Sequence, residues 1–220
     1  MRPKYSIIVC TKNEEKGIEI LLNNIPKNVK RNGEIILVDS STDKTPVIAK
    51  KLGARVITER GKGKGRAMKT GVENSRSDII VFMDGDGTDS LIHVEKLVEK
   101  TKEADLVLAC RTSKNFFYNI FILTHRLLFF PAKLNFKDPL TGFRALKRGL
   151  FRKLNLKSDD FRIETEMNLK TISMGLTIKS MDVERVSRGG GLSQSKFLKS
   201  PDQWIKVIST VLKFLITGSV

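Results

Sequence analysis

Short apolar runs alternate with stretches of helical spacing through the first half of the chain. Apolar runs of strand length occupy residues 5–10, 34–38, 55–58, 79–83 and 106–109. The stretches between them repeat apolar residues every three or four positions and predict helices at residues 15–25, 43–52, 66–74 and 91–103. Apolar strands that alternate with helices are typical of a mostly parallel sheet covered by helices on both faces. The pattern therefore predicts an α/β fold.

The second half of the chain is less regular. Residues 116–134 are very apolar, but charged residues and a proline interrupt them. Residues 164–174 predict a further helix and residues 176–186 a further strand. No internal repeat and no low-complexity linker divides the chain, so we expect one continuous domain over residues 1–200.

The last predicted helix is amphipathic and follows that domain over residues 201–220. Residues 204–217 place nine apolar side chains on one side of a helical wheel, and two lysines with three hydroxyl residues on the other. Such a stripe either packs on the protein core or lies in a membrane interface, with Trp204 at its edge.

Composition excludes several classes of protein. With 40% apolar residues over 220 positions, the chain is not intrinsically disordered. Its two cysteines, Cys10 and Cys110, each end an apolar run and are interpreted as reduced core residues in a cytosolic setting. The amino terminus has too short an apolar run for a signal peptide, and no stretch of about 20 apolar residues predicts a transmembrane helix.

The net charge of +16 is concentrated in the second half of the chain. Residues 1–110 hold 20 basic and 16 acidic residues, whereas residues 111–220 hold 20 basic and 8 acidic residues. This asymmetry indicates either an anionic partner, such as nucleic acid, a membrane surface or a phosphorylated substrate, or a solvated cationic face.

An acidic cluster follows the strand predicted at residues 79–83. Ligands of parallel sheets bind beyond the carboxyl ends of the strands, and Asp84, Asp86 and Asp89 lie there within six positions. Carboxylates this close repel one another, and hard divalent cations such as Mg²⁺ or Mn²⁺ bind such groups together with substrate phosphates. The alternative is that Asp89 or Ser90 caps the next helix, which accounts for one acidic residue and not for three.

Two more polar loops follow predicted strands. Asp39 ends the second strand and begins a loop up to Asp43 that either accepts hydrogen bonds from a nucleoside or caps the next helix. Residues 61–66 alternate glycine with lysine or arginine, so the backbone can approach a phosphate that the basic residues neutralise. The loop lacks the serine or threonine of a P-loop, and a solvated flexible loop is the alternative.

Arginines in the basic half indicate a second anionic group. Arg111 follows the fifth strand, and two further motifs occupy residues 138–144 and 188–196. Arginine binds phosphate in a bidentate way. Each arginine alone is more often a surface charge, but their position downstream of a metal-type acidic cluster favours phosphate binding.

In this order, the motifs resemble those of the family 2 inverting glycosyltransferases of GT-A fold, and within them the dolichyl-phosphate mannose synthase group. The resemblance covers about residues 4–200. The D-x-D motif is weak by itself, whereas the ordered set is specific. The set consists of Asn13-Glu14, Val38 to Asp43, Gly61 to Arg66, the D-x-D of Asp84 and Asp86, the T-G-F-R of Thr141 to Arg144, the E-x-E of Glu164 and Glu166, and Arg188 to Lys196.

The resemblance implies a role for each motif. A GDP- or UDP-sugar donor would be bound by Thr11, Asn13, Glu14, Asp39, Asp43, Lys64, Arg66, Asp84, Gly85, Arg188, Ser195 and Lys196. The Mg²⁺ or Mn²⁺ cofactor would be held by Asp84, Asp86 and Thr88. The acceptor phosphate would be bound by Arg111, Thr141 and Arg144. The residues expected to be catalytic are Asp86, Arg111 and Arg144, and the candidate bases for a hydroxyl acceptor are Glu164 and Glu166. Residues 1–111 would form a nucleotide-sugar half and residues 112–200 an acceptor half.

The implied reaction is metal-dependent transfer, with inversion, of a mannose- or glucose-type hexose to a polyprenyl phosphate. The protein would lie peripherally on the cytoplasmic face of a membrane, directly or through a membrane-protein partner. The alternatives are a soluble family 2 enzyme acting on a hydroxyl of a glycan, sugar or glycerate, a nucleotidyltransferase, and a nucleic-acid-binding module. Nucleic-acid binding predicts aromatic residues among the basic ones, but here the aromatic residues cluster in residues 116–134, so no nucleic-acid partner is expected.

Overall fold

Seven strands form one mixed sheet in the computed structural model, which describes residues 2–59, 61, 63–112, 123, 137–184 and 201–218. The strands are β1 Tyr5–Thr11, β2 Gly33–Asp39, β3 Arg55–Thr58, β4 Ile79–Asp84, β5 Leu106–Thr112, β6 Arg144–Lys147 and β7 Ile178–Glu184. Their spatial order is β3-β2-β1-β4-β6-β5-β7. The strand β6 pairs antiparallel with β4 and β5, and the other pairings in this sheet are parallel. The predicted α/β class is confirmed.

Helices cover both faces of this sheet. Within the described ranges they are α1 Glu15–Asn23, α2 Lys27–Asn32, α3 Thr45–Lys51, α4 Lys64–Glu73, α5 Val94–Lys100, α6 Arg148–Lys153, α7 Arg162–Ser173 and α8 Pro201–Thr217. Side chains from α1, α2, α3 and α5 belong to one hydrophobic cluster, and those from α4, α6 and α7 belong to a second.

Alternate residues of the central strands supply the two clusters. In β1, Ile7 and Val9 belong to the first cluster and Ile8 to the second, and all three are fully buried. Successive side chains of a strand point to opposite faces. A strand covered on both sides therefore has no polar alternation, which is why the pattern along β1, β2 and β4 is a continuous apolar run.

Three described elements were not predicted from the sequence. The strand β6 begins with Arg144 and ends with Lys147, so it does not have the composition of a buried apolar run. The helices α2 and α6 have six residues each, which is less than two turns and too short for a periodic pattern. The predicted helix at residues 91–103 is also shorter than expected, because Leu91–His93 form a 3₁₀ turn before α5.

The helix α8 uses only part of its apolar side to pack on the protein. Val207 and Val211 are buried, and α8 contacts α7. Other large apolar side chains of the helix are exposed, namely Ile205, Leu212, Leu215 and Ile216. None of the helices in the described part of the chain is long and apolar enough to cross a membrane.

Candidate active site

The sheet brings the predicted polar motifs to one edge. Parallel strands end on the same side, so the ends of β1, β2, β4 and β5 place Thr11, Asp39, Asp84 and Arg111 there. Because β6 runs in the opposite direction, its first residue, Arg144, lies on this side as well. Residues from five separate parts of the sequence thus meet at one edge of the sheet.

Hydrogen bonds join the loop after β1 to the loop after β2. The Asp39 carboxylate is nearly buried and accepts a 2.7 Å hydrogen bond from Thr11 Oγ1 and a 2.6 Å hydrogen bond from Ser41 Oγ. The Ser41 backbone N–H also donates to Asp39 Oδ2, at 3.1 Å. Asp39 therefore holds the two loops in register.

Asn13 and Glu14 extend this junction. Asn13 has a positive φ of 54°, and its Oδ1 accepts a 2.9 Å hydrogen bond from the backbone N–H of Thr42. The backbone N–H of Glu14 donates to Thr45 Oγ1, which itself donates to Asp43 Oδ1 at 2.5 Å. Asp43 Oδ1 also accepts a 3.0 Å hydrogen bond from the Thr45 backbone N–H, whereas the N-cap residue of α3 is Lys44, which has no side-chain cap. Asp43 therefore contacts the first residue of α3 and belongs to the surface expected to bind a nucleoside.

The acidic cluster divides into residues with different partners. Asp86 Oδ1 accepts hydrogen bonds from the backbone N–H and the Oγ1 of Thr88, at 3.0 and 2.5 Å. Asp89 is buried and forms a bidentate ion pair with Arg111, with both N–O distances at 2.8 Å. Ser90 caps the 3₁₀ turn Leu91–His93 that precedes α5, and its side chain accepts a hydrogen bond from the Ile92 N–H. Asp89 is therefore an internal partner of Arg111 and not the helix cap.

Asp84 lies between two cations. Its Oδ1 is 2.5 Å from Lys64 Nζ, and its Oδ2 is 3.2 Å from Arg111 Nη2. Burial opposes ionisation of the carboxyl group, but the ammonium of Lys64 and the guanidinium of Arg111 hold the pKa of Asp84 well below its usual range. The backbone of Gly142 also touches this carboxylate, since a Cβ at that position would lie 2.5 Å from Asp84 Oδ2. The side chain is therefore ionised and tightly positioned.

Lys64 joins the acidic cluster to α7. Its Nζ is 2.6 Å from Glu164 Oε1 and 5.7 Å from the centroid of the Phe161 ring. Burial disfavours the ammonium, but the carboxylates of Asp84 and Glu164 outweigh it and raise the pKa of Lys64. Sequence reasoning identified Lys64 and Glu164 separately, but their pairing across 100 residues had no sequence signal.

The glycines of residues 61–66 fix the position of Lys64. Gly63 has a φ of +110°, and a Cβ at Gly63 or at Gly65 would collide with backbone atoms of the 158–159 segment. A loop that approaches another backbone this closely requires glycine. Arg66, which follows, is exposed and lies 3.3 Å from Glu59 through its Nε.

Two residues expected to bind the acceptor phosphate are buried. Arg144 is 0% exposed, and its guanidinium donates to the backbone oxygens of Thr141 and Glu164 and to Asn168 Oδ1. Thr141 is also 0% exposed and donates to the backbone oxygen of Ala109. These contacts correct the expectation that Arg144 and Thr141 contact a phosphate, because their polar groups are used inside the protein.

The structure also separates the two glutamates. Glu166 is buried, and its carboxylate accepts hydrogen bonds from the backbone N–H groups of Lys157 and Ser158, both at 2.8 Å. It is therefore a structural partner of that segment, which corrects the expectation that it is a candidate base. Glu164 lies at the site but is bound to Lys64.

The remaining predicted residues have the following positions. Gly85 follows β4, where a Cβ would collide with the Thr11 side chain. Arg188, Ser195 and Lys196 lie outside the described residues, and so do most of residues 116–134. Their predicted roles therefore stay predictions.

The donor set at this edge fits a divalent cation. Within the described residues, no three or more His, Cys, Asp or Glu side chains are arranged to hold a metal ion by themselves. Mg²⁺ is typically held by one or two carboxylates together with substrate phosphates. Asp84 and Asp86 are the carboxylates that would supply this smaller protein share.

The buried carboxyl group of Asp138 should make the free energy of unfolding of the protein depend on pH. Burial raises the pKa of Asp138 to about 6. The unfolded chain has the lower value, near 3.9, so the folded protein binds the extra proton between these limits, and the free energy of unfolding falls as the pH rises through them. We expect Asp138→Asn to gain stability relative to the parent chain by about 3 kcal/mol between pH 4 and pH 7. Urea unfolding of both proteins at several pH values measures the difference, and a constant difference would contradict the assignment.

Comparisons with known proteins show the family to which the sequence is similar. Residues 6–159 match the family described as Glycosyl transferase family 2. A low-salt glycan biosynthesis hexosyltransferase of Haloferax volcanii is 27% identical over 216 residues, which are 92% of this chain and 52% of that protein. A dolichyl-phosphate hexose transferase of the same organism is 27% identical over 194 residues, with 84% of each chain covered. The chain spans only 53–59% of the length of several other curated relatives.

A solved structure shows the same fold. Glucosyl-3-phosphoglycerate synthase from Mycobacterium tuberculosis, in complex with Mn²⁺, UDP and glucosyl-3-phosphoglycerate, matches with a TM-score of 0.78. The match covers 99% of this chain and 81% of that chain at 23% identity. The GT-A type of the α/β fold is therefore confirmed.

Proposed function

Because the chain belongs to glycosyl transferase family 2, we propose that it transfers a mannose- or glucose-type hexose from a GDP- or UDP-sugar to a polyprenyl phosphate. The observation that carries the proposal is the meeting of the Asp84–Asp86 motif with Lys64 and Arg111 at the carboxyl edge of the sheet. The relative named dolichyl-phosphate hexose transferase, which matches over most of both chains, supports the choice of acceptor.

The donor would lie across the junction of the first two loops and the acidic cluster. Asn13, Glu14, Asp39 and Asp43 border the nucleoside side of this surface. Lys64, Arg66 and, from outside the described residues, Arg188, Ser195 and Lys196 would neutralise the diphosphate. Asp84 and Asp86, with Thr88 supporting Asp86, would hold a Mg²⁺ or Mn²⁺ ion, which as a Lewis acid stabilises the leaving diphosphate.

A phosphate acceptor fits the protonation chemistry of this site. In the transfer, an acceptor phosphate oxygen forms a bond to C1 of the sugar as the bond from C1 to the diphosphate oxygen breaks, with inversion at C1. A phosphate with a second pKa near 6 is largely ionised at neutral pH and needs no strong base. A hydroxyl acceptor does need one, and Glu164, the remaining candidate, is held in an ion pair with Lys64. Arg111 is the cation proposed to orient the acceptor phosphate.

Turnover of a panel of nucleotide sugars tests the proposal. We would measure nucleoside diphosphate release with Mg²⁺ or Mn²⁺, with and without a short polyprenyl phosphate. Release that requires both the metal and the lipid is the expected result and identifies the donor. Release that requires the metal but not the lipid would indicate transfer to a hydroxyl, that of water included, and the acceptor would then be a hydroxyl compound. No release from any nucleotide sugar, together with release of pyrophosphate from a nucleoside triphosphate and a sugar phosphate, would indicate a nucleotidyltransferase.

The exposed apolar side of α8 supports peripheral attachment to a membrane. Ile205 and Ile216, which are 68% and 83% exposed, fall on the same side of the helix as Leu212, and Lys206 and Lys213 lie beside them. Apolar residues flanked by lysines suit the interface of an anionic bilayer. We propose that this side of α8 rests on the cytoplasmic face of the membrane.

A double substitution tests that attachment. Lys206→Glu with Lys213→Glu reverses two charges, each worth about 1 kcal/mol near an anionic surface, so we expect at least a tenfold loss of binding. Co-sedimentation with vesicles containing phosphatidylserine measures it. The matched control, Lys50→Glu with Lys51→Glu, makes the same change of net charge on exposed positions of α3 and should bind more tightly than the α8 variant. Equal binding of the two variants would remove α8 from the membrane contact.

A further inference from the structure

Lys64 occupies the position between two carboxylates that come from distant parts of the chain. Its Nζ lies 2.5 Å from Asp84 Oδ1 on β4 and 2.6 Å from Glu164 Oε1 on α7. The lysine side chain is 12% exposed, and the glutamate side chain is 5% exposed. Two carboxylates this close to each other need a cation between them, and the protein supplies its own.

The geometry makes this cation a fixed part of the protein. Gly63 and Gly65 pack against the backbone of the 158–159 segment, and the backbone N–H of Arg66 donates to the Asp159 oxygen at 3.1 Å. The beginning of α4 is therefore anchored to the segment that leads into α7. Lys64 and Glu164 therefore lie on two elements that are anchored to each other, whereas Asp84 belongs to the sheet.

The accessibility of the two carboxylates differs. The Asp84 side chain is 25% exposed, five times the fraction of Glu164. A cation arriving from solvent therefore reaches Asp84 first. It cannot bind Asp84 Oδ1 while the Lys64 ammonium is 2.5 Å from that atom.

We propose that Lys64 is a resident counter-ion that a divalent cation displaces from Asp84, and that the displaced ammonium, still paired with Glu164, then binds the donor diphosphate. This inference rests on the proposed function, which supplies the metal and the donor. It predicts that the metal and the nucleotide bind cooperatively. Without a nucleotide, the metal must break an ion pair; with a nucleotide, the ammonium gains a new anion. Such coupling acts equally in both directions.

The test measures binding and not turnover. Electron paramagnetic resonance of free Mn²⁺ gives the Mn²⁺ affinity of the full chain, alone and with UDP or GDP. Without nucleotide, we expect Lys64→Met to bind Mn²⁺ about tenfold more tightly than the parent chain. In this variant the metal no longer has to break the partly buried ion pair between Lys64 and Asp84. We expect the same variant to lose most of the enhancement that the nucleotide gives the parent chain.

Two further variants separate displacement from the change of charge. Lys64→Met with Glu164→Gln removes one charge of each sign, avoids an unpaired buried carboxylate, and should still bind Mn²⁺ several-fold more tightly than the parent chain. Lys69→Met removes one positive charge from the same helix, where Lys69 pairs with Asp159 at 2.9 Å, and should leave the Mn²⁺ affinity unchanged. Circular dichroism confirms that each variant is folded.

The outcomes distinguish this inference from the proposed function. If neither Lys64 variant binds Mn²⁺ more tightly than the parent chain, Lys64 does not compete with the metal and the inference is wrong, even when the parent chain turns over nucleotide sugars. If the Lys69 variant gains affinity equally, the effect is one of net charge and the inference is also wrong. If the parent chain binds no Mn²⁺ with UDP or GDP and releases no nucleoside diphosphate, the proposed function itself fails.

Discussion

Asp86→Ala should lower kcat/KM for nucleoside diphosphate release on the order of 10³-fold. The variant loses one of the two carboxylates proposed to hold the cation that stabilises the leaving diphosphate. The remaining one, Asp84, already has its two oxygens next to Lys64 and Arg111. Removing Asp86 therefore leaves the cation with one carboxylate, whose oxygens also contact Lys64 and Arg111, at the point where charge develops.

The same variant should remain folded, because Asp86 is half-buried in the loop beyond the end of β4 and does not belong to the hydrophobic core. Its loss removes the hydrogen bonds that Asp86 accepts from Thr88, so we expect the free energy of unfolding to fall by about 1–3 kcal/mol. Asp78→Ala is the matched control: Asp78 is exposed and lies just before the opposite end of the same strand. Normal release by Asp86→Ala, with the parent metal dependence, would rule out the D-x-D motif as the metal site.

Arg144→Leu should destabilise the fold by about 4 kcal/mol, as removal of a buried hydrogen-bonded charge does. Arg144 is the first residue of β6, and its guanidinium connects this strand to the turn at Thr141 and to the helix α7. Leucine would leave the buried oxygens of Thr141, Glu164 and Asn168 without these donors, and each unpaired group is unfavourable inside a protein.

Urea unfolding measures this loss, and Arg144→Lys refines it. Lysine keeps the positive charge but lacks the planar fork that reaches three acceptors. It should therefore recover only part of the stability. A leucine variant that is as stable as the parent chain but needs far more polyprenyl phosphate for half-maximal rate would restore the expectation that Arg144 binds the acceptor.

Much of the sheet was predictable because each buried parallel strand is a continuous apolar run. Four of the five strands predicted in the first half lie within two residues of both observed ends, and β3 matches at both ends. The sequence could not predict β6 because its first residue is a buried arginine, which is rare in a strand interior. The reason for that arginine lies in α7, about 20 residues further along the chain.

The candidate site was predictable as a set of positions but not as a set of contacts. Strand ends gave the positions of Asp39, Asp84 and Arg111. The ion pairs of Asp84 with Lys64 and of Asp89 with Arg111 join different loops, and no spacing in the sequence encodes them. The T-G-F-R motif likewise does not tell whether its arginine faces solvent or the core, and here it faces the core.

The antiparallel position of β6 has a consequence for how this protein can evolve. The chain leaves β5 at Thr112 and is again described from Lys137, just before β6, the strand paired with β5. Both junctions of the intervening connection therefore lie beside the candidate site, and the sheet hydrogen bonds do not depend on its length. Loop closure becomes only slightly less favourable as a connection lengthens. Thr112 and Lys137 are thus points where a connection of another length could be joined to this sheet without changing the pairing of β5 with β6.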